Sequence, residues 1–194
     1  MLTLSHSANL SSDYFTNRQD RYFELQSFPA LADYFEELLG ITSKLSFSVR
    51  ATDTTSQSPA LNLQWPESNI SHSPLSQHGP SALKDRAHDE FAALTTRWAR
   101  KGQDALCSPL PPDATVYDTS IRPVLQMGPF KITQETSLVV PMIFRTGNSL
   151  ASAPGGADTT IDWTSGYFSV QPAYRQQVLD SCAVVRIVTA HPKV

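Results

Sequence analysis

The stretch Ser7-Ala-Asn-Leu-Ser-Ser-Asp-Tyr-Phe-Thr-Asn-Arg-Gln-Asp-Arg-Tyr22 concentrates more chemistry than any other part of this sequence. Residues 2–10 read as a short strand running into a turn. Asn9 sits at that junction; its small amide can donate to a phosphate oxygen and tolerates unusual backbone angles. Ser7 and Ser11 add hydroxyls beside it. Asn17, Arg18, Gln19, Asp20 and Arg21 then place five polar groups in a row between Phe15 and Tyr22. A guanidinium can grip phosphate with two parallel hydrogen bonds, and a neighbouring carboxylate can fix its orientation. The composition points to phosphate affinity without naming a reaction. A polar turn stitched by an Arg–Asp pair would use the same residues.

Outward from this stretch the pattern alternates between strand and helix. Residues 12–18 suit a brief helix or an irregular loop, and residues 20–26 alternate as a strand. A helix follows, with Pro29 in its first turn, Leu31, Tyr34, Phe35, Leu38 and Leu39 on one face, and Gly40 at its end. Leu45, Phe47 and Val49 alternate with serines and predict a half-buried strand. Residues 51–60 and 66–80 are rich in Ser, Thr, Pro, Asn and Gln and read as solvated loop, with a short strand at Leu61–Trp65 between them. Leu83, Ala87, Phe91, Leu94 and Trp98 recur at helical spacing across 81–100, with Gly102 just beyond.

Residues 108–114 form a Pro-rich connector, and Thr115–Met127 reads as extended. Thr133 suits the cap of a helix reaching Arg145, with Pro141 a point for a kink. Residues 147–158 predict a flexible loop, 159–170 a strand ending near Gly166, 172–181 a helix, and 183–189 a buried apolar strand. Strands interleaved with helices imply an α/β or α+β layered fold.

The formal net charge is −3 over 194 residues, so the chain carries no global basic field of the kind that draws nucleic acid. No apolar run approaches the roughly 18 residues that span a bilayer. Cys107 and Cys182 lack zinc or redox spacing and read as reduced thiols, so no metal site is expected. His72 and His78 stand in the Ser-rich loop without partner spacing. His88 precedes Asp89 and Glu90, which a helix turns to other faces. Asn9 and Asn69 match the glycosylation sequon and are read as chance matches.

Ala8-Asn-Leu-Ser11 and Tyr14 through Tyr22 resemble the run that follows the first catalytic motif of eukaryotic phosphatidylglycerophosphate synthases, members of the phospholipase D superfamily. Three later segments resemble the same family: Leu125-Gln-Met-Gly-Pro-Phe130 with Gln134-Glu135, Trp163-Thr-Ser-Gly-Tyr-Phe168, and Tyr174-Arg-Gln with Val185–Ala190. The Ser/Pro-rich part of 51–80 is where the likeness is weakest. Ser7 replaces the family's glycine, a less permissive residue if that turn needs positive φ. The family's first His-x-Lys motif would fall before residue 1 and its second beyond Val194. His6 is not that histidine, because no lysine lies two residues on. His191-Pro-Lys193 imitates the pair but reads as a strand-end polar turn.

The resemblance implies an incomplete α/β fold of phospholipase D-like layered type, with a mixed sheet and flanking helices. It would comprise the end of a first half (1–50), an insertion with a helix (51–114) and the start of a second half (115–194). It implies transfer of a phosphatidyl group from CDP-diacylglycerol to sn-glycerol 3-phosphate through a phosphatidyl-histidine, with no cofactor, at a mitochondrial inner-membrane surface. Asn9 is the catalytic group it assigns here, with Ser7, Ser11, Asn17, Arg18, Asp20 and Arg21 supporting the phosphate. The Thr16–Arg21 run argues against a phospholipase D-type hydrolase. A non-catalytic phospholipid- or partner-binding module is the other alternative. The isolated chain is expected to be inactive and poorly soluble.

Overall fold

The structure is a computed structural model that describes residues 2–6, 12, 16, 22–26, 28–51, 61–107, 121–156, 158–166 and 169–190. The protein is a mixed helix-and-strand chain. It divides into two compact units, Met1–Ala114 and Thr115–Val194. Among the described residues the strands pair only in twos, three pairs antiparallel and one parallel.

In the first unit, β1 (Leu2–His6) pairs antiparallel with β2 (Tyr22–Gln26), with Leu2 opposite Gln26 and His6 opposite Tyr22. Helix α1 (Pro29–Ser43) begins on its proline, whose missing N–H costs nothing in a first turn. It runs past Gly40, contrary to expectation. The Thr42 and Ser43 hydroxyls bond back to the carbonyls of Leu38 and Gly40 at 2.8 and 2.9 Å, and the Lys44 N–H closes the end. Leu31 and Tyr34 are buried, whereas Leu39 is 66% exposed and leaves the expected apolar face.

Strands β3 (Ser48–Ala51) and β4 (Leu61–Gln64) pair antiparallel, so the strand expected from Leu45 starts only at Ser48. The Ser-rich segment after β4 is irregular but tied down. The Trp65 indole donates to Ser71 O at 3.0 Å, and Asn69 Nδ2 donates to Ser46 O at 2.9 Å. Helix α2 (Gly79–Cys107) is longer than the periodicity suggested, and Gly102 lies inside it. A single solvent-facing glycine costs a helix only about 1 kcal/mol, which a long packed helix absorbs. Ala87, Phe91 and Leu94 are buried. Trp98 meets Tyr34 of α1 edge-to-face, with ring centroids 5.7 Å apart.

In the second unit, Gln126–Met127 (β5) and Ile132–Thr133 (β6) form a minimal hairpin around the 3₁₀ turn Gly128–Phe130. Thr133 therefore belongs to a strand and caps no helix. A π-helical turn, Glu135–Val139, leads directly into α3 (Val140–Ala151). The Val140 N–H bonds to Glu135 O. Pro141 has no N–H to offer the ordinary α ladder and its ring crowds the carbonyl four residues back, a conflict that the widened turn accommodates. Helix α3 extends through residues 147–151, which sequence alone assigned to a flexible loop.

The strand β7 (Thr160–Ser165), the helix α4 (Pro172–Leu179) and the strand β8 (Val184–Thr189) complete the unit. β7 and β8 run parallel with Trp163 opposite Ile187. Phe144, Ile161 and Ala183 form the core, with Val140, Trp163, Val178 and Val185 packed around them. Expected to be buried, β8 instead leaves Val184 and Val188 53% and 62% exposed. Parallel strands normally have both faces covered; α3 covers only one here.

Candidate functional site

The expected site residues Ser7, Asn9, Ser11, Asn17, Arg18, Asp20 and Arg21 lie outside the described residues, as do His191 and Lys193. What is described is the frame that holds the stretch. The register setting His6 opposite Tyr22 brings its two flanks together as the ends of one antiparallel pair. Opposed residues in such a pair have Cα atoms roughly 5 Å apart.

The densest polar constellation among the described residues lies in the second unit, built from β5, the π turn and the start of α4. Gln126 Oε1 accepts from the backbone N–H groups of Glu135 and Thr136 at 3.2 and 3.5 Å. That fixes its amide, so Nε2 faces Thr136 Oγ1 at 3.1 Å. Gln171 Nε2 donates to the same oxygen at 3.3 Å. Tyr174 OH lies 3.0 Å from Thr136 Oγ1 and donates to Glu135 Oε1 at 3.1 Å. Nitrogen can only donate in these contacts, so the Thr136 proton goes to Tyr174 and the Tyr174 proton to Glu135. The chain of donors has one direction and ends on a carboxylate. Trp163 packs edge-on against Tyr174 at 5.7 Å between centroids.

Glu135, Gln126 and Tyr174 stand in segments the family resemblance singled out, but no spacing rule joins them. Thr136 and Gln171 carried no sequence signal for a site. The π turn supplies the missing link, since it aims the first amides of the turn at Gln126.

The first unit holds a second charged cluster. Arg97 grips Glu37 through Nε at 3.2 Å and Nη2 at 2.6 Å, and Lys101 Nζ stands 3.7 Å from the other oxygen. The Arg97 hydrogen bond, more than any other cause, holds the Glu37 carboxyl below its ordinary range, against a smaller opposing effect of burial. The Trp98 indole N–H also favours the carboxylate, although it lies outside hydrogen-bonding geometry and has no partner among the described residues. Lys101 lies over the Trp98 ring at 4.0 Å. This cluster fastens α1 to α2. In the second unit Arg186 bonds Asp162 across the parallel pair at 2.6 and 2.7 Å and lowers its carboxyl pKa.

Among the described residues no group of three or more His, Cys, Asp or Glu side chains could hold a metal ion, and no helix is long and apolar enough to cross a membrane.

Comparison with known proteins points one way. The chain is 33% identical over 202 residues to the bovine mitochondrial CDP-diacylglycerol–glycerol-3-phosphate 3-phosphatidyltransferase, covering 96% of this chain and 33% of that protein. It is 28% identical over 195 residues to the chicken mitochondrial enzyme of the same name, and 30% identical over 210 residues to the Schizosaccharomyces pombe enzyme, of which it covers 40%. The chain thus spans 33% of the length of the bovine and chicken relatives and 40% of the S. pombe one, and the similarity runs over 94–96% of this chain. No family model matches it. No solved structure matches it.

Proposed function

We infer that this chain is a segment of a CDP-diacylglycerol–glycerol-3-phosphate 3-phosphatidyltransferase, the transferase that makes phosphatidylglycerophosphate and CMP on the route to phosphatidylglycerol and cardiolipin. The observation that carries this reading is the similarity to proteins of one name along 96% of the chain. The run from Ala8 to Tyr22 adds the local chemistry, an amide followed in sequence by guanidinium and carboxylate groups.

In such an enzyme a histidine attacks the phosphorus of CDP-diacylglycerol, the P–O bond to CMP breaks, and a phosphatidyl-histidine forms. A second histidine then takes the proton of the glycerol 3-phosphate hydroxyl as that oxygen displaces the first. The reaction draws on side chains alone and needs no cofactor. Asn9 stabilises charge on the phosphoryl oxygens in transit. Arg18 and Arg21 hold the phosphate region, with Asp20 orienting them and Ser7, Ser11 and Asn17 completing the polar shell. The fold is the phospholipase D-like layer. Residues 1–50 close its first half, residues 51–114 form an insertion, and residues 115–194 open the second half. The relatives' names place the animal enzymes in the mitochondrion, and this protein works there at the membrane surface where its lipid substrate resides.

Grafting tests the reading. Residues 1–194 replace the matching 40% of the S. pombe enzyme, and CMP release from CDP-diacylglycerol is measured with and without glycerol 3-phosphate. Release that depends on glycerol 3-phosphate is expected. A folded, membrane-associated chimera without such release would overturn the assignment.

A further inference from the structure

We propose that Glu135, held by Tyr174 and flanked by Gln126 and Gln171, is a recognition site for vicinal hydroxyl groups. It takes the polyol end of a small alcohol such as glycerol and excludes phosphate. Naming glycerol 3-phosphate as its natural occupant rests on the function proposed above; the hydroxyl chemistry does not.

The donor chain leaves a specific remainder. Glu135 Oε1 is occupied by the Tyr174 hydroxyl, and its second oxygen has no partner among the described residues. Gln126 and Gln171 each spend one amide hydrogen on Thr136 Oγ1, and among the described residues the other hydrogen of each has no partner. The free set is therefore one anionic acceptor beside amide donors. A diol matches it, since one hydroxyl donates to the carboxylate while its neighbour accepts from an amide. A phosphate can only accept, and it would bring negative charge against the carboxylate.

Four further features fit a binding role better than a plain tie between elements. The carboxylate is pre-oriented, because each hydroxyl proton upstream of it has one place to go, so binding loses less freedom. The Trp163 and Tyr174 rings, in contact at 5.7 Å, offer an apolar wall for the carbon atoms of a polyol. The site stands where α4 begins, just after the carboxyl end of β7, and open sheets with parallel strands bind ligands at that end. The π turn that presents Glu135 is a form used sparingly in proteins and often at sites of function.

The test is a titration of the ¹⁵N-labelled 194-residue chain, following the side-chain amide resonances of Gln126 and Gln171. Glycerol and glycerol 3-phosphate are each expected to give saturable shifts, and inorganic phosphate none. Glu135→Gln keeps the shape and removes the charge. It should weaken the glycerol response by about tenfold, the loss of one charge-assisted hydrogen bond, and let phosphate begin to shift the same signals. Tyr174→Phe should weaken it severalfold with the backbone spectrum otherwise retained. Equal shifts from phosphate and glycerol, a non-saturating glycerol response, or an undiminished response in Glu135→Gln would each overturn the proposal. Saturation by glycerol with no response to glycerol 3-phosphate would keep the hydroxyl site and remove its link to the acceptor. An inactive chimera in the grafting experiment leaves these readouts untouched, so the two ideas fail separately.

Discussion

A Cβ placed on Gly147 would stand 2.7 Å from Ile161 Cδ1 and 3.0 Å from its Cγ1. Helix α3 reaches β7 through the absence of a side chain, and the buried core of Phe144, Ile161 and Ala183 depends on that approach. Gly147→Val should destabilise the second unit by about 1–3 kcal/mol, the usual cost of forcing extra methyl groups into a packed core. Gly147→Ala should cost less. The contacted atom is the end of a flexible side chain, and alanine restores up to about 1 kcal/mol of helix propensity. Denaturant titration followed by Trp163 fluorescence checks both. Full stability of Gly147→Val would mean that the close approach is not a constraint.

Asn148, the next residue along α3, tests a polar tie. Its Oδ1 accepts from the Cys182 N–H at 2.8 Å and lies 3.2 Å from the Ser181 hydroxyl, so it fastens the turn that enters β8. Asn148→Ala should cost about 1 kcal/mol, because water can reach the freed N–H. Asn148→Asp keeps the acceptor and should retain most of the stability at neutral pH. Equal losses in the two variants would show that the acceptor oxygen is not what matters.

How much of this was legible beforehand follows from the range of each interaction. The buried faces of α1 and α2 were readable because Leu31 with Tyr34, and Ala87 with Phe91 and Leu94, repeat at helical spacing. Their ends were not. Gly40 and Gly102 carry a stop signal worth about 1 kcal/mol, and packing along the α1–α2 seam outweighs it. Thr133 looked like a helix cap, but it pairs with Gln126, seven positions back, across a hairpin that the residue's own capping preference does not announce. β8 read as buried because residues 183–189 are an apolar run; its exposed valines reflect what covers it, which its own sequence does not encode. The hydrogen bonds of the Glu135 network join residues 9 to 39 positions apart, and no periodicity reports such a meeting.

The Glu37–Arg97 pair gives a prediction in pH. The folded-state pKa of Glu37 is lowered, chiefly by the Arg97 hydrogen bond. Its contribution to stability is therefore fully present above the ordinary glutamate value near 4.5 and is lost as pH falls through the lower folded value. The side chains are 35% and 48% exposed, so solvent screens the pair and its coupling should be only about 0.2–1 kcal/mol. A double-mutant cycle with Glu37→Gln and Arg97→Met, run at pH 7 and again well below 4.5, measures it. A coupling that persists at the acid end would contradict the assignment to an ionised Glu37.

The last prediction concerns Asn9 and separates support from chemistry. The stretch that carries it lies between His6 and Tyr22, which stand opposite each other in the β1–β2 register, and the function proposed above expects the nucleophilic histidine outside residues 1–194. If Asn9 stabilises the transferring phosphoryl group, it acts only where that nucleophile is supplied. The purified chain should release no CMP from CDP-diacylglycerol, because contacts that stabilise developing charge cannot replace a missing covalent route. In the chimera, Asn9→Ala should lower kcat by about 10²–10³, the usual loss on removing one oxyanion donor, with little change in the apparent affinity for CDP-diacylglycerol. Ser7→Gly restores the family's residue at the neighbouring position and should leave kcat the same or higher. A matching fall in affinity alone would move Asn9 from stabilising the reaction to binding the ground state. Turnover by the isolated chain would show that the chemistry lies among residues 1–194 after all.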